Sequence, residues 1–238
     1  MYWTAVAILK QLAGELGLPA QSTVVDLQPQ NVQLLAALNS AGNELLTYYP
    51  WSQFATEWAF SAVSGQGSYE VPQDWKYFTD QTQWDRTNHW PLLGPKSPQE
   101  WAWLKGGIVA SFPRMRYRVT GRNLSLWPVP DSANAYNMAM EYIRSTWVEA
   151  ANGDLKEMVD QDGDKCLYDP WLLIKFTKLK FYELKGFDTA AAKADFVRVY
   201  DSLTGKDTGA QVLSLTPIST PVFIGPQSVP DGSWNTGA

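Results

Sequence analysis

Arg114, Arg116 and Arg118 alternate with Met115, Tyr117 and Val119. On a β-strand this period of two places three guanidinium groups on one face, where they can bind phosphate or a partner's carboxylates in paired hydrogen bonds. A charged row of this kind is more often a solvated strand face, and Arg122 would extend it. A Ser-His-acid site would have to use the single histidine, His89, and no Gly-x-Ser-x-Gly elbow presents a serine to it. Gly205-Lys206 matches a phosphate loop in two residues, but Asp207 stands where a Ser or Thr is needed and the earlier glycine is missing. Asp160, Asp162 and Asp164 have the spacing of calcium ligands. The glycine, however, is Gly163 rather than the sixth residue, and the twelfth is Trp171 rather than a glutamate, so a polar connection is expected. Glu44, Glu57 and Glu100 are available for glycoside cleavage, which depends on a separation in space that spacing along the chain does not set. The lone Cys166 excludes an intrachain disulfide and a cysteine zinc cluster and reads as a small buried hydrophobe. No catalytic, cofactor or metal residue is assigned, and the chain is not expected to be an enzyme.

Composition points the same way. A formal charge of −5 gives no general attraction to phosphate, which argues against tight sequence-specific nucleic-acid binding. Twelve tryptophans are costly to leave in water and predict large buried or partner-covered surfaces. The stretch Trp3 to Leu18 carries Lys10 and Glu15 without a basic leader, unlike a signal peptide. No run of about eighteen uncharged apolar residues offers a membrane span. The expectation is a soluble, intracellularly made protein with no membrane partner.

The elements that would carry these residues read as helices around a β unit. Val6, Leu9, Leu12, Ala13 and Leu16 recur at helical spacing before Gly17 and Pro19. Pro29 opens a second helix that ends at Tyr48, before Pro50-Trp51. Phe54 to Ala62 then alternates as a strand, ends in Ser64-Gly65-Gln66-Gly67, and Tyr69 to Val71 returns as its pair. The stretch from Pro72 to Pro95 reads as a long excursion at the sheet rim. Ser97-Pro98-Gln99-Glu100 is a capping box for a short helix on which Trp101 and Trp103 cannot face the same side, so one is assigned to the core and one to an interface. Ile108 to Val119, Asn123 to Trp127 and Tyr136 to Val148 read as strands.

Asp169 and Pro170 start a helix through Leu184 closed by Gly186, and Asp188 caps a second from Thr189 to Leu203 closed by Gly205, an antiparallel hairpin. In the first, Lys175, Lys178 and Lys185 share a stripe while Leu172, Leu173, Ile174, Phe176, Leu179, Phe181 and Leu184 fill the rest, so it should be buried on more than one side. Prolines 217, 221, 226 and 230 forbid helix in residues 206–238, yet Leu213, Leu215, Ile218, Val222, Phe223, Ile224 and Trp234 are too apolar for a solvated linker, and the segment should dock. The fold class is therefore α+β. N-terminal helices (1–50) and a C-terminal hairpin (150–205) form a bundle, with an inserted antiparallel β unit (51–149) and an extended C-terminal arm (206–238).

The run Ala37-Leu38-Asn39-Ser40-Ala41-Gly42-Asn43-Glu44-Leu45, then Tyr49-Pro50-Trp51, then Gly67 to Trp75 with its Tyr69-x-x-Pro72-x-Asp74-Trp75 corner, and Gly121 to Pro130 resemble head-to-tail adaptors of short-tailed double-stranded DNA phages, the connector or tail-tubular type, over about residues 30–205. The resemblance implies a virion protein of the neck, made in the host cytoplasm. It would form a ring of twelve copies below the portal protein, meet tail tube, nozzle or fibre proteins, and line a channel through which DNA passes without being read. On that expectation the portal contacts are Lys175, Lys178 and Lys185 of the hairpin together with Leu213, Leu215, Ile218, Val222, Phe223, Ile224 and Trp234 of the arm. Subunit or tail contacts are Arg114, Arg116, Arg118, Trp101 and Trp103. Two other classes stand behind this one. A protein- or carbohydrate-binding module would need exposed coplanar aromatics between Trp84 and Trp103, and a cell-wall hydrolase would need a carboxylate pair in a cleft.

Overall fold

The computed structural model describes residues 2–20, 22–25, 28–106, 114–130 and 136–207. Along the chain run β1 (Trp3–Thr4), α1 (Ala5–Leu16), α2 (Pro29–Tyr48), a 3-10 turn (Ser52–Phe54), β2 (Ala55–Ala62), β3 (Ser68–Glu70), β4 (Trp75–Phe78), β5 (Trp84–Asp85) and β6 (Trp90–Pro91). There follow α3 (Pro98–Lys105), β7 (Arg116–Thr120), β8 (Asn123–Trp127), β9 (Tyr136–Arg144), β10 (Val148–Glu149), β11 (Leu155–Lys156), β12 (Lys165–Cys166), α4 (Pro170–Lys185) and α5 (Ala190–Asp207). The fold is α+β, with helices toward both ends and antiparallel strand pairs between them. Two compact units divide the described residues, one of 2–56, 74–77 and 142–207, the other of 57–73 and 78–141.

In the first unit α4 packs against α1, α2 and α5. Asp169 starts α4 by accepting hydrogen bonds from the backbone N–H groups of Trp171 and Leu172. Gly186, with φ of 70°, supplies the left-handed turn that ends it. Burial of Leu172, Leu173, Ile174, Phe176, Leu179 and Phe181 meets the expectation of a helix covered on several sides, whereas Leu184 is 66% exposed at the hairpin tip. A four-stranded sheet in the order β1-β12-β10-β11 completes this unit.

The end of α2 is built without a glycine cap. Its C-cap, Tyr49, is extended, and Pro50 follows. Three of its last four carbonyls accept instead from aromatic side chains: Leu45 from the Trp51 indole at 3.0 Å, Leu46 from the Tyr77 hydroxyl at 3.2 Å and Tyr48 from the Tyr200 hydroxyl at 3.3 Å. One turn earlier, the Tyr168 hydroxyl donates to Gly42 at 2.9 Å and the Lys76 ammonium to Asn43 at 3.0 Å, a cation placed where the helix dipole favours one. Trp51 is held edge-on by Tyr49, Tyr168 and Tyr200.

In the second unit β3, β8 and β7 form a three-stranded antiparallel sheet, with a two-residue turn at Gly121-Arg122 joining β7 to β8. A five-stranded sheet has the order β2-β9-β5-β6, with β4 also paired to β9.

Several expectations are corrected. Strand β3 pairs with β8 and not with β2, because the Gly65–Gly67 turn carries the chain into another sheet. Of the strand expected from Ile108, residues 108–113 lie outside the described residues, Arg114 and Met115 precede the strand, and β7 extends to Thr120. The strand expected over Tyr136 to Val148 is interrupted at Ser145-Thr146-Trp147. The rim excursion contains a hairpin, β5 to β6, whose turn is organised by the buried Asp85 carboxylate accepting from the N–H groups of Thr87 and Asn88. Gly205 does not stop α5, which runs on to Asp207, so the first two residues assigned to the arm are helical.

Of the described glycines, Gly42 is the most closely packed against. A Cβ there would lie 2.3 Å from a ring carbon of Trp147, which is fully buried. At an open helical position Gly→Ala stabilises by about 1 kcal/mol. Gly42→Ala is expected to reverse that sign and cost about 1–3 kcal/mol as the indole is displaced, read as a lower urea midpoint; a raised midpoint would show that the ring yields freely.

Candidate functional site

The arginine row is shorter than expected. Arg116 and Arg118 lie on β7, opposite Trp127 and Ser125 of β8, while Tyr117 between them turns to the buried face. Burial, with the Asp80 carboxylate adding to it, pushes the Tyr117 phenol up to about 12. Arg114 precedes the strand, and Arg122 does not extend the row. From the β7–β8 turn the Arg122 guanidinium donates to the carbonyls of Val71 at 3.3 Å, Pro72 at 3.0 Å and Gln73 at 3.1 Å, while the Val71 N–H donates back to the Arg122 carbonyl at 3.0 Å. Two segments recognised separately in the sequence are thus bound to each other, and this arginine's role is to hold a proline corner that has no ladder to satisfy its carbonyls.

On α3 both halves of the capping box form, Ser97 accepting from the Glu100 N–H and Glu100 from the Ser97 N–H. Trp101 is buried at 7% and Trp103 exposed at 57%, the division expected from their spacing. The coplanar aromatics lie elsewhere than between Trp84 and Trp103. Trp58 stacks on Phe60 at 4.3 Å and 24°, and on Phe78 at 6.1 Å and 14°.

Of the hairpin lysines, Lys175 and Lys178 both reach Glu15 on α1, at 3.0 and 3.1 Å, and Lys185 lies over the Phe181 ring at 5.4 Å. Lys180, which the sequence reading passed over, pairs with Glu44 of α2 at 2.8 Å. Three of the four α4 lysines therefore join helices of the same unit. The hairpin exposes Leu184 and Phe187 at its tip, the latter in edge contact with Tyr182, and Trp171 and Val197 away from it. Leu213, Leu215, Ile218, Val222, Phe223, Ile224 and Trp234 lie outside the described residues.

The remaining chemical groups hold structure. Asp164 is fully buried and accepts from the Lys156 ammonium at 2.8 Å and from the N–H groups of Asp160 and Gln161, both at 3.0 Å. Burial by itself raises its carboxyl, and these donors outweigh it, holding the group below the usual carboxylate range. Asp160 pairs with Lys156, and Asp162 accepts from Thr23 at 2.8 Å and from the Val24 N–H at 2.5 Å. The three aspartates form the polar connection expected of them, and no cluster that could hold a metal ion occurs among the described residues. Glu44 is engaged by Lys180 and Tyr48, Glu57 by Arg86 at 2.5 Å, and Glu100 by its cap. His89 occupies a left-handed position, φ 59°, in the β5–β6 turn, and Cys166 is buried. No helix among the described residues is long and apolar enough to cross a membrane.

Burial raises the Glu15 carboxyl, but Lys175 and Lys178 more than offset this and leave it below its ordinary value. A carboxyl that titrates lower folded than unfolded contributes its stability above the unfolded pKa, about 4.3, and loses it as pH falls through the folded value. Glu15→Gln is therefore expected to cost about 1–2 kcal/mol at pH 7, with the gap from wild type narrowing below about pH 4. Urea midpoints measured across that range test this, and a pH-independent gap would refute it.

A protein-family model described as SU10 adaptor protein matches residues 4–214. No curated protein matches the chain.

Proposed function

The chain belongs to the SU10 adaptor protein family, and from that premise we propose that it is the ring-forming head-to-tail adaptor of a short-tailed phage. It is a structural adaptor protein of a phage virion. The observation that carries the finer reading is the extent of the match, which takes in residues of the helical unit and of the β unit. In this reading the chain joins a closed ring, of twelve copies as the resemblance has it, between portal and tail proteins. The ring lines a channel whose wall does not hold DNA, in keeping with the net charge of −5.

Within the helical unit, the hairpin tip with exposed Leu184 and Phe187 is the surface proposed for the portal, jointly with the apolar arm. Lys175 and Lys178 serve it indirectly by fixing α4 to α1. Arg116, Arg118 and the exposed Trp103 are proposed for contacts with neighbouring subunits or tail proteins, where a half-exposed indole and guanidinium groups are the side chains that contribute most to an interface. Arg114 flanks them, and Trp101 anchors α3 from inside.

Light scattering of the chain alone and mixed with its portal protein, with negative-stain images of the mixture, tests the proposal. The expected result is a ring, or a monomer that assembles when the portal is added. A chain that stays monomeric and ignores the portal overturns it. Leu184→Asp with Phe187→Asp, both at exposed positions, is expected to weaken portal binding at least tenfold with an unchanged urea midpoint.

A further inference from the structure

The three-stranded sheet of the second unit has a buried and an open face. Tyr117, Leu124 and Leu126 are buried on one side. Alternation places Arg116 and Arg118 of β7, Ser125 and Trp127 of β8 and Ser68 and Glu70 of β3 on the other, where Ser68 and Glu70 are exposed and the remaining four half-buried. Residues 114–122 carry four arginines and no carboxylate.

The first unit carries the opposite charge in one connection. Residues 149–165 hold six carboxylates and two lysines. Both lysines are paired within the segment, Lys156 with Asp160 and Asp164 and Lys165 with Glu149. Asp154, Glu157 and Asp162 lie exposed outside those pairs, where they accept from neutral donors on Asn152, Ser145 and Thr23. Asp154, with Asn152, Leu155 and Gln161, lines an open cleft of about 700 Å³, wide enough to admit a guanidinium side chain. Leu155 is 41% and Met158 54% exposed, so apolar groups stand among these acids as Trp127 stands opposite Arg116. Apolar groups flanked by charge on both surfaces, with arginine and tryptophan on one of them, are the anatomy of a protein interface.

Copies of a chain with net charge −5 repel one another at a distance. Contact becomes favourable where the arginines of one copy meet the surplus carboxylates of another, and this chain supplies both surfaces. Because the two surfaces differ, the contact is head-to-tail, the type that closes a ring and not the type that makes a two-fold dimer. We propose that the Arg116–Arg118 sheet face of one copy docks on the acidic connection 149–165 of the next, with Arg118 paired to Asp154 and Glu157. This names the partner of the arginine surface and rests on the ring reading given above.

Charge reversal in the full-length protein tests it, with light scattering in the presence of the portal protein as the readout. Arg118→Glu in one chain, and Asp154→Lys with Glu157→Lys in another, are each expected to weaken ring assembly at least tenfold with an unchanged urea midpoint. An equimolar mixture of the two variants is expected to restore the ring. In an alternating ring each reversed surface meets a reversed partner and each native surface a native one, so restoration requires contact between two folded chains. A ring that survives either reversal, or a mixture that stays unassembled, overturns the proposal and leaves the ring reading in place. A wild-type chain that forms no ring overturns both.

Discussion

The C-terminus of α2 is the constraint on which the helical unit depends. A helix end leaves carbonyls without partners, and here no glycine caps the end and aromatic side chains from other segments of the unit supply the donors. Trp51, Tyr77, Tyr168 and Tyr200 each bring one polar atom to a carbonyl of α2 and lay their rings into the core. Those four residues come from the segment after α2, from β4, from the connection before α4 and from α5, so one helix end brings together most of the unit's chain. Burial holds the Tyr168 phenol far above its ordinary pKa, which keeps it a hydrogen-bond donor.

Around that node the packing admits little variation. Trp147 lies on the bare backbone of Gly42 one turn back along α2, and its own backbone is tied to Lys156 and Leu167, so the interruption between β9 and β10 delivers the indole to the helix. The pairs from Lys175 and Lys178 to Glu15 and from Lys180 to Glu44 tie α4 to α1 and α2. Such partly exposed pairs contribute modestly to stability and more to which helix faces which.

The segments that carry the family resemblance acquire physical reasons from this arrangement. Gly42 is needed for the approach of Trp147, and Pro50-Trp51 ends α2 and caps it with its indole. The Tyr69-to-Trp75 corner is held by Arg122 from the β7–β8 turn, and the Asp74 carboxylate accepts from the Tyr142 hydroxyl at 2.9 Å. These are structural demands of the scaffold. Leu184, Phe187 and Trp103 are exposed and are positioned by the scaffold without contributing to its core.

Local signals along the chain were enough to determine the α+β class, the bounds of α1, α2, α3 and β8, the cap of α4 and the division of labour between Trp101 and Trp103, because each rests on interactions within a few residues: caps, proline at a first turn, alternation. Partnership between distant segments was decided by the tertiary structure. The pairing of β3 with β8, the turning of Lys175 and Lys178 onto Glu15, the diversion of Arg122 to a backbone corner, the capping of α2 by Tyr77 and Tyr200 and the stacking of Trp58 on Phe78 each join residues far apart in sequence. Residue type announces that a charge or an indole needs a partner, but the partner is chosen by which surfaces the packed core brings within about 3–4 Å.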